Sequence, residues 1–146
     1  MAQNMMYRHS VTVYDTSGQL IRTISDRVNL SDLGWPDYPD LVRGAPVEAA
    51  FSPDGSTAYV SNYSMYGPGF PKPGWDLGTP ADKIDESFVY RIDVGSGKIN
   101  AAAKVGSVPK FLAASPDERW LIVANWAGRD LSIIDLATFR EVRRIP

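Results

Sequence analysis

The fold follows from the stretch Pro46-Val-Glu-Ala-Ala-Phe-Ser-Pro-Asp-Gly-Ser-Thr-Ala-Tyr-Val-Ser-Asn62, whose pattern returns later in the chain. The second copy reads Pro109-Lys-Phe-Leu-Ala-Ala-Ser-Pro-Asp-Glu-Arg-Trp-Leu-Ile-Val-Ala-Asn125 and aligns with the first without a gap, at an offset of 63 residues. The Pro, the Ser-Pro-Asp triplet, the Val and the Asn coincide. Such internal repetition is the signature of a repeat architecture.

Each copy predicts a β-hairpin. In Ser-Pro-Asp-Gly, Pro supplies the fixed φ and Gly the conformational freedom that a tight turn needs, and apolar residues flank the turn on both sides. A third strand is indicated by the motifs Val11-Thr-Val-Tyr-Asp15, Val89-Tyr-Arg-Ile-Asp93 and Leu131-Ser-Ile-Ile-Asp135. We expect each terminal Asp to accept hydrogen bonds from the amides of the turn that follows. A fourth strand then completes the unit.

The two spacings together give the length of the repeat. The third-strand motifs ending at Asp93 and Asp135 are 42 residues apart, so the middle copy carries an insertion that lengthens its offset to 63. A unit of about 42 residues is the length of a propeller blade. The Pro, the Ser-Pro-Asp, the strand ending in Val-x-Asn (Tyr59-Val-Ser-Asn62 and Ile122-Val-Ala-Asn125) and the later Ile-Asp resemble the YVTN β-propeller repeats.

The predicted fold class is therefore all-β, with propeller blades of four antiparallel strands in an incomplete ring. A propeller closes with about four to eight blades. The remaining blades are expected either from a longer chain, of which this is a fragment, or from other subunits of an oligomeric ring. The predicted segments are a tail (1–8), a half blade with the third and fourth strands (9–25), a long loop (26–45), a full blade (46–106) with an insertion (63–86), and a second full blade (107–146).

The long loop and the insertion are the predicted binding face. In an up-and-down blade both connections emerge on the same side, and long loops in compact domains tend to be functional or disordered. Aromatic residues offer contact area there and prolines limit flexibility. The candidate ligand or partner residues are Trp35, Tyr38, Tyr63, Tyr66, Phe70, Trp75 and Trp126. The alternative is that these aromatic rings pack back on the scaffold as a small satellite core.

Other chemistry finds little support in the sequence. Two acidic groups, Asp32, Asp37 and Asp40 and then Asp82, Asp85 and Glu86, match no known cation-binding loop, so they are expected to be solvated. The single histidine, His9, is expected to be structural or exposed. No catalytic residue, no metal site and no cofactor is predicted.

Composition limits the partners. The formal net charge of −2, from 15 basic and 17 acidic residues, gives no drive toward nucleic acid, and no apolar run is long enough for membrane insertion. The first residues of the chain as given lack a signal peptide. Its location is left open, because an unseen N-terminus would allow an extracellular or periplasmic protein.

Three hypotheses of function remain. The first is a binding or scaffold module that presents the aromatic, proline-rich loop face to a protein, peptide or glycan. The resemblance implies the other two. One is a lactonase-like hydrolase whose catalytic residues lie mostly outside this chain, and the other is a cell-surface structural repeat like those of surface-layer proteins.

Overall fold

The chain forms antiparallel β-sheets joined by turns and two long loops. The computed structural model describes the backbone of residues 2–5 and all of residues 8–146. Within these ranges there is no α-helix, and no helix is long and apolar enough to cross a membrane. The strands are β1 (Ala2–Met5), β2 (Ser10–Tyr14), β3 (Leu20–Ser25), β4 (Val28–Asn29), β5 (Leu41–Val42), β6 (Pro46–Phe51), β7 (Thr57–Asn62), β8 (Ser87–Asp93), β9 (Lys98–Val105), β10 (Pro109–Ala114), β11 (Trp120–Asn125), β12 (Asp130–Asp135) and β13 (Arg140–Ile145).

Three sheets have the meander order of propeller blades, and this confirms the predicted fold class. The first blade is β1-β2-β3, the second β6-β7-β8-β9 and the third β10-β11-β12-β13, with all neighbours antiparallel. The first strands of the second and third blades, β6 and β10, lie next to each other. The three described blades do not close a ring.

The first blade has one strand more than the sequence predicted. Residues 1–8 were expected to be a tail, but Ala2–Met5 pairs with β2. The pair Met5–Ser10 has the same place in its sheet as Asn125–Asp130 in the third blade, so β1 is the second strand of a blade. The prediction missed it because Ala2-Gln-Asn-Met5 carries neither the Ser-Pro-Asp turn nor a run of apolar residues.

The turns on one face of the blades are held by their aspartates, as predicted. Asp15 Oδ1 accepts hydrogen bonds from the backbone N of Ser17 and of Gln19, both at 2.9 Å. Asp93 and Asp135 do the same in their own turns, at 2.7 and 2.8 Å. Side-chain and backbone hydrogen bonds stabilise the charged form and lower the pKa of all three carboxyl groups.

Alternate residues of each strand build a separate core on each side of the second blade, because successive side chains point to opposite faces. Val60 and Phe88, on one face, are buried against Val11 and Ile24 of the first blade and against the loop 26–45. On the other face, Tyr59 and Val89 are buried against Leu121, Val123, Ile134 and Phe139 of the third blade. The second blade is therefore covered on both faces.

The Asn that ends the second strand of each repeat closes over a glycine of the loop that precedes the blade. Asn62 Nδ2 donates to Phe88 O at 3.0 Å, and its side chain leaves no room for a Cβ at Gly44. Asn125 Nδ2 donates to Ser132 Oγ at 2.8 Å and lies against Gly106 in the same way. The repeated Asn thus ties the second strand to the blade and fixes the loop above it.

Candidate functional site

The long loop and the insertion form one layer on the predicted face. Arg43 and Tyr66 exchange two backbone hydrogen bonds, at 2.9 and 2.8 Å, and these join the loop 26–45 to the insertion 63–86. Tyr63 N donates to Ala45 O at 2.8 Å. The expectation that both segments lie on the same side of the blades is confirmed.

Three of the candidate aromatic residues brace this layer against the core. Trp35, Tyr38 and Phe70 surround the buried Phe88, with ring centroids 5.2, 5.6 and 6.2 Å from it. Tyr38 also stacks on Phe70 at 4.9 Å, and Trp35 Nε1 donates to Ala102 O at 2.8 Å. Edge-to-face aromatic packing of this kind stabilises the scaffold. These rings form the satellite core that the sequence offered as an alternative.

Two further candidates lie at junctions within the scaffold. Tyr63 is buried in a small cluster with Val108 and Ala127, at the boundary between the second and third blades. Tyr66 is half-buried and meets the His9 ring edge-to-face at 5.5 Å. Both rings therefore have packing partners inside the chain.

The last two candidates face the solvent. Trp75 is 44% exposed and Trp126 is 54% exposed, and Leu77, two residues after Trp75, is 85% exposed. Leu77 was not predicted, although a Leu between Asp76 and Gly78 in a long insertion is a visible signal. We call Trp75, Leu77 and Trp126 the exposed edge.

Polar contacts fix the exposed edge in place. Trp126 Nε1 donates to Asp76 O at 3.0 Å, which ties the third blade to the insertion. Lys110 Nζ lies 4.8 Å from the centre of the Trp126 ring and forms an ion pair with Asp76 at 2.8 Å. This hydrogen-bonded ion pair lowers the pKa of Asp76. The Trp126 ring is therefore oriented although more than half of it is accessible.

The insertion itself is ordered by hydrogen bonds from several directions. Gly74 N donates to Ser64 Oγ, and Lys72 N donates to Asp85 Oδ2, both at 2.6 Å. Ser107 Oγ donates to Ile84 O at 2.8 Å and so connects the insertion to the third blade. The segment that carries Trp75 and Leu77 is thus held at both ends.

A groove of about 570 Å³ opens beside the exposed edge. Its large apolar lining residues are Leu77 of the insertion and Trp126, Leu131 and Ile145 of the third blade. The remaining lining residues are Asp76, Gly78, Thr79, Ala124, Asn125, Arg129, Asp130 and Pro146. The exposed lining of the groove is mostly apolar, with polar groups among it.

A second feature of the loop face joins His9 to a buried carboxylate. His9 Nδ1 donates to Gly44 O at 2.5 Å and lies 3.4 Å from Asp26 Oδ2. Asp26 is almost fully buried, and neither of its carboxylate oxygens accepts a hydrogen bond from the described residues. Burial raises the pKa of Asp26 to about 6 against the opposing effects of His9 and Arg43.

Two acidic residues of the insertion, Asp82 and Glu86, have separate hydrogen-bond and ion-pair partners. Asp82 Oδ2 accepts from the backbone N and the hydroxyl of Thr79, both at 2.8 Å, and Glu86 pairs with Lys104 and Arg144. Within residues 8–146 no three side chains of the metal-binding types come together.

Comparison with known proteins finds similarity in structure but not in sequence families. No family model and no curated protein matches the chain. The dihydro-heme d1 dehydrogenase NirN, solved in complex with DHE, matches with a TM-score of 0.59 at 23% identity, over 99% of this chain and 23% of NirN. Putative 6-phosphogluconolactonases from Bacteroides uniformis and Bacteroides fragilis both match with a TM-score of 0.54, at 14% and 16% identity. They are covered over 32% and 33% of their lengths, and this chain over 92% and 94%.

These similarities establish the class of fold. The neighbours are β-propeller-type proteins, and the blades described above belong to the same class. At this level of identity the likeness concerns the fold alone, because one propeller scaffold hosts many functions. The chain spans between about a quarter and a third of the length of these neighbours.

Proposed function

We propose that this chain is a binding module that recognises an extended peptide segment of a protein partner through the exposed edge and its groove. The observation that carries the proposal is that Leu77 and Trp126, two large apolar side chains, are exposed yet held in a fixed arrangement by the Asp76 contacts. Exposed apolar patches rimmed by polar groups mark interaction sites. Because the insertion is already ordered, binding loses little conformational entropy.

The lining of the groove favours a peptide over a glycan. Leu77, Leu131 and Ile145 are aliphatic and suit an apolar side chain, whereas a sugar needs several hydrogen-bonding groups beside an aromatic ring. Arg129 and Asp130, which also line the groove, can pair with charged or backbone groups of a peptide. Trp126 supplies the rigid aromatic contact that is typical of binding hot spots.

A peptide library displayed on phage tests the proposal. Peptides selected on the wild-type chain should carry an apolar residue at a fixed position. Their affinity should fall about tenfold or more with Trp126→Ala and with Leu77→Ala, since hot-spot truncations cost about 2 kcal/mol. Ile21→Ala is the matched control, because Ile21 is 56% exposed on the edge of the first blade. Selected peptides that bind all three variants like the wild type would disprove this site.

The hydrolase alternative draws on the names of two neighbours, the putative 6-phosphogluconolactonases. Lactone hydrolysis by the complete protein that contains these blades, abolished by a chelator, would favour it over a binding-only role. A structural repeat of a cell surface would bind no selected peptide and would hydrolyse no lactone. The three candidates therefore give different results in the two assays.

A further inference from the structure

The third blade leaves one apolar face uncovered at positions that the repeat elsewhere buries. Ile122, Leu131 and Ile145 lie on this face and are 41%, 38% and 38% exposed. Within the described blades, their counterparts on the second blade are buried under the third blade: Tyr59, Val89 and Ala103. The register fixes this equivalence, since Val89 pairs with Ala103 as Leu131 pairs with Ile145. The face thus has the form of a blade-to-blade interface without its second half.

Each blade also presents one arginine at the same place on this side. The cross-strand pairs of the third and fourth strands are Val13–Arg22, Arg91–Ala101 and Ile133–Arg143 in the three blades. The arginine stands on the third strand in the second blade and on the fourth strand in the other two. Because paired residues are neighbours on one face, the guanidinium is available at nearly the same point in all three.

In both observed interfaces this arginine meets the turn between the third and fourth strands of the next blade. Arg22 packs on Gly97, where an added Cβ would lie 2.6 Å from Arg22 Nη1. Arg91 Cζ lies 5.1 Å from the centre of the Phe139 ring. Gly97 and Phe139 are 42 residues apart, and both have a positive φ, of 72° and 53°. The same contact therefore recurs at the repeat distance.

Among the described residues, the third blade and the first blade each carry an unused half of this contact. Arg143 is exposed and makes no ion pair within residues 8–146. Beside it is a depression of about 340 Å³, lined by Ser115, Trp120, Ile122, Ile133, Val142, Arg143 and Ile145. In the first blade, Gly18 of the β2–β3 turn has a φ of 84°, and nothing lies within 4 Å of the position of its Cβ. Asp15, in the same turn, is likewise without an ion pair among the described residues.

We propose that a second copy of this chain docks head to tail on the third blade, with its β2–β3 turn seated against Arg143. Gly18 of the incoming copy then takes the place that Gly97 has against Arg22. The carboxylate of Asp15 comes near Arg143, as Asp93 does near Arg22, whose charge lowers the pKa of Asp93 after the hydrogen bonds of Ser96. The contact is heterologous, because different surfaces of the two copies meet.

A head-to-tail contact between two copies fits this face better than a two-fold pairing of their third blades. In the two-fold arrangement the Asp15–Gly18 turn has no role, and two faces that each carry Arg143 oppose each other. The head-to-tail arrangement uses the open turn and brings opposite charges together, and such complementarity also fixes the register of association.

Sedimentation velocity of the full chain over a wide range of concentrations tests the proposal. We expect species heavier than the 16.1 kDa monomer to increase with concentration. Arg143→Glu places a negative charge opposite Asp15 and should weaken association by about tenfold or more, since like charges across an interface are costly. Gln19→Arg should do the same by placing a positive charge opposite Arg143. Arg27→Glu, a charge reversal at an exposed site in the loop 26–45, should have no effect.

The decisive measurement mixes the two defective variants. The new carboxylate at position 143 of one chain then meets the new guanidinium at position 19 of the other. The native Asp15 and Arg143 face each other at the alternate junctions, so association should return in the mixture. A chain that stays monomeric at all concentrations would overturn the proposal. So would self-association that neither substitution weakens, or that mixing fails to restore. Circular dichroism of each variant confirms that the blades are folded. A docked copy covers Leu131 and Ile145, which also line the peptide groove, so a selected peptide should compete with self-association. Arg143 does not line that groove, so Arg143→Glu should weaken self-association and leave peptide binding unchanged.

Discussion

The surroundings of Asp26 make its ionised form unfavourable in the folded state. It follows β3, and its carboxylate is buried beside the His9 imidazole, with Arg43 and the buried Tyr90 as the other titratable groups near it. An ionised carboxylate without hydrogen bonds in such a place is unfavourable. Burial accordingly favours the neutral form and raises its pKa to about 6.

The contribution of Asp26 to the stability of the chain should therefore fall as the pH rises, whereas carboxyl groups with a lowered pKa, such as Asp15, Asp93 and Asp135, act in the opposite direction. The pKa of Asp26 is 3.8 without the fold and about 6 within it, so its neutral form contributes fully below the lower value. That contribution is lost as the pH rises through about 6, at a cost of roughly 1–3 kcal/mol. Asp26→Asn should remove this slope and unfold later in urea at a pH of about 7.5, above both pKa values. Asp37→Asn, an exposed change in the same loop, should keep the slope. If the wild type and Asp26→Asn changed equally in stability between about pH 4 and about pH 7.5, this account would be contradicted.

Some residue positions followed from the sequence and others did not. The hairpin pairs Ser10 with Ser25, so the flanking His9 and Asp26 had to be neighbours, a consequence of register that could have been drawn beforehand. The sequence did not allow the prediction that Phe70 is buried and Trp75 is exposed. Both stand among prolines and glycines, and only the distant Tyr38 and Phe88 decide that Phe70 turns inward.

At the scale of elements, the closure of an asparagine over a glycine joins each blade to the loop before it. Gly44 precedes β6 and touches Asn62, and Gly106 precedes β10 and touches Asn125. The repeated Asn was visible in the sequence, but its glycine was not, because the two are brought together only when the loop folds back on the second strand. The two-residue strands β4 and β5 were unpredictable for a similar reason, since they pair only with each other across the loop.

Gly44→Ala and Gly106→Ala should each destabilise the chain by about 1–3 kcal/mol, the usual cost of forcing extra volume into a packed site. An added Cβ would lie 2.6 Å from Asn125 Nδ2 at Gly106 and would overlap Asn62 Oδ1 at Gly44. Gly95→Ala is the control, because its nearest contact is an ordinary one of 3.6 Å, to Asp93 Oδ1. Urea unfolding measures all three. If the control were as damaging as the other two, steric closure would not be the cause.

At the scale of the whole molecule, stability resides in the two interfaces between blades. Phe139 is central to the second interface, where its buried ring stacks on Tyr59 at 6.0 Å and lies under the Arg91 guanidinium. Glu86, which directly precedes β8, adds ion pairs with Lys104 of β9 and with Arg144 of β13. The repeat predicted that adjacent blades would pack, but the partners of Phe139 depended on the observed register.

Phe139→Ala should loosen the third blade while the first two remain together. Removal of a buried Phe costs about 3–5 kcal/mol, and here the loss falls on one interface. Hydrogen exchange should accelerate throughout β10–β13 and change little in β2 and β3. Phe111→Ala is the control, since Phe111 is exposed on the same blade. A uniform acceleration across all three blades would instead show that the chain unfolds as one cooperative unit.

The third strand carries this arginine in one blade and the fourth strand carries it in the other two, and this bears on how the repeats are compared. Val13–Arg22, Arg91–Ala101 and Ile133–Arg143 keep one guanidinium per pair, although no single column of the aligned repeats keeps it. Either position of the pair can therefore supply the guanidinium, so a comparison of single columns misses a charge that all three pairs hold. Blades related by duplication can in this way lose their likeness column by column while retaining the same contact with the blade that follows.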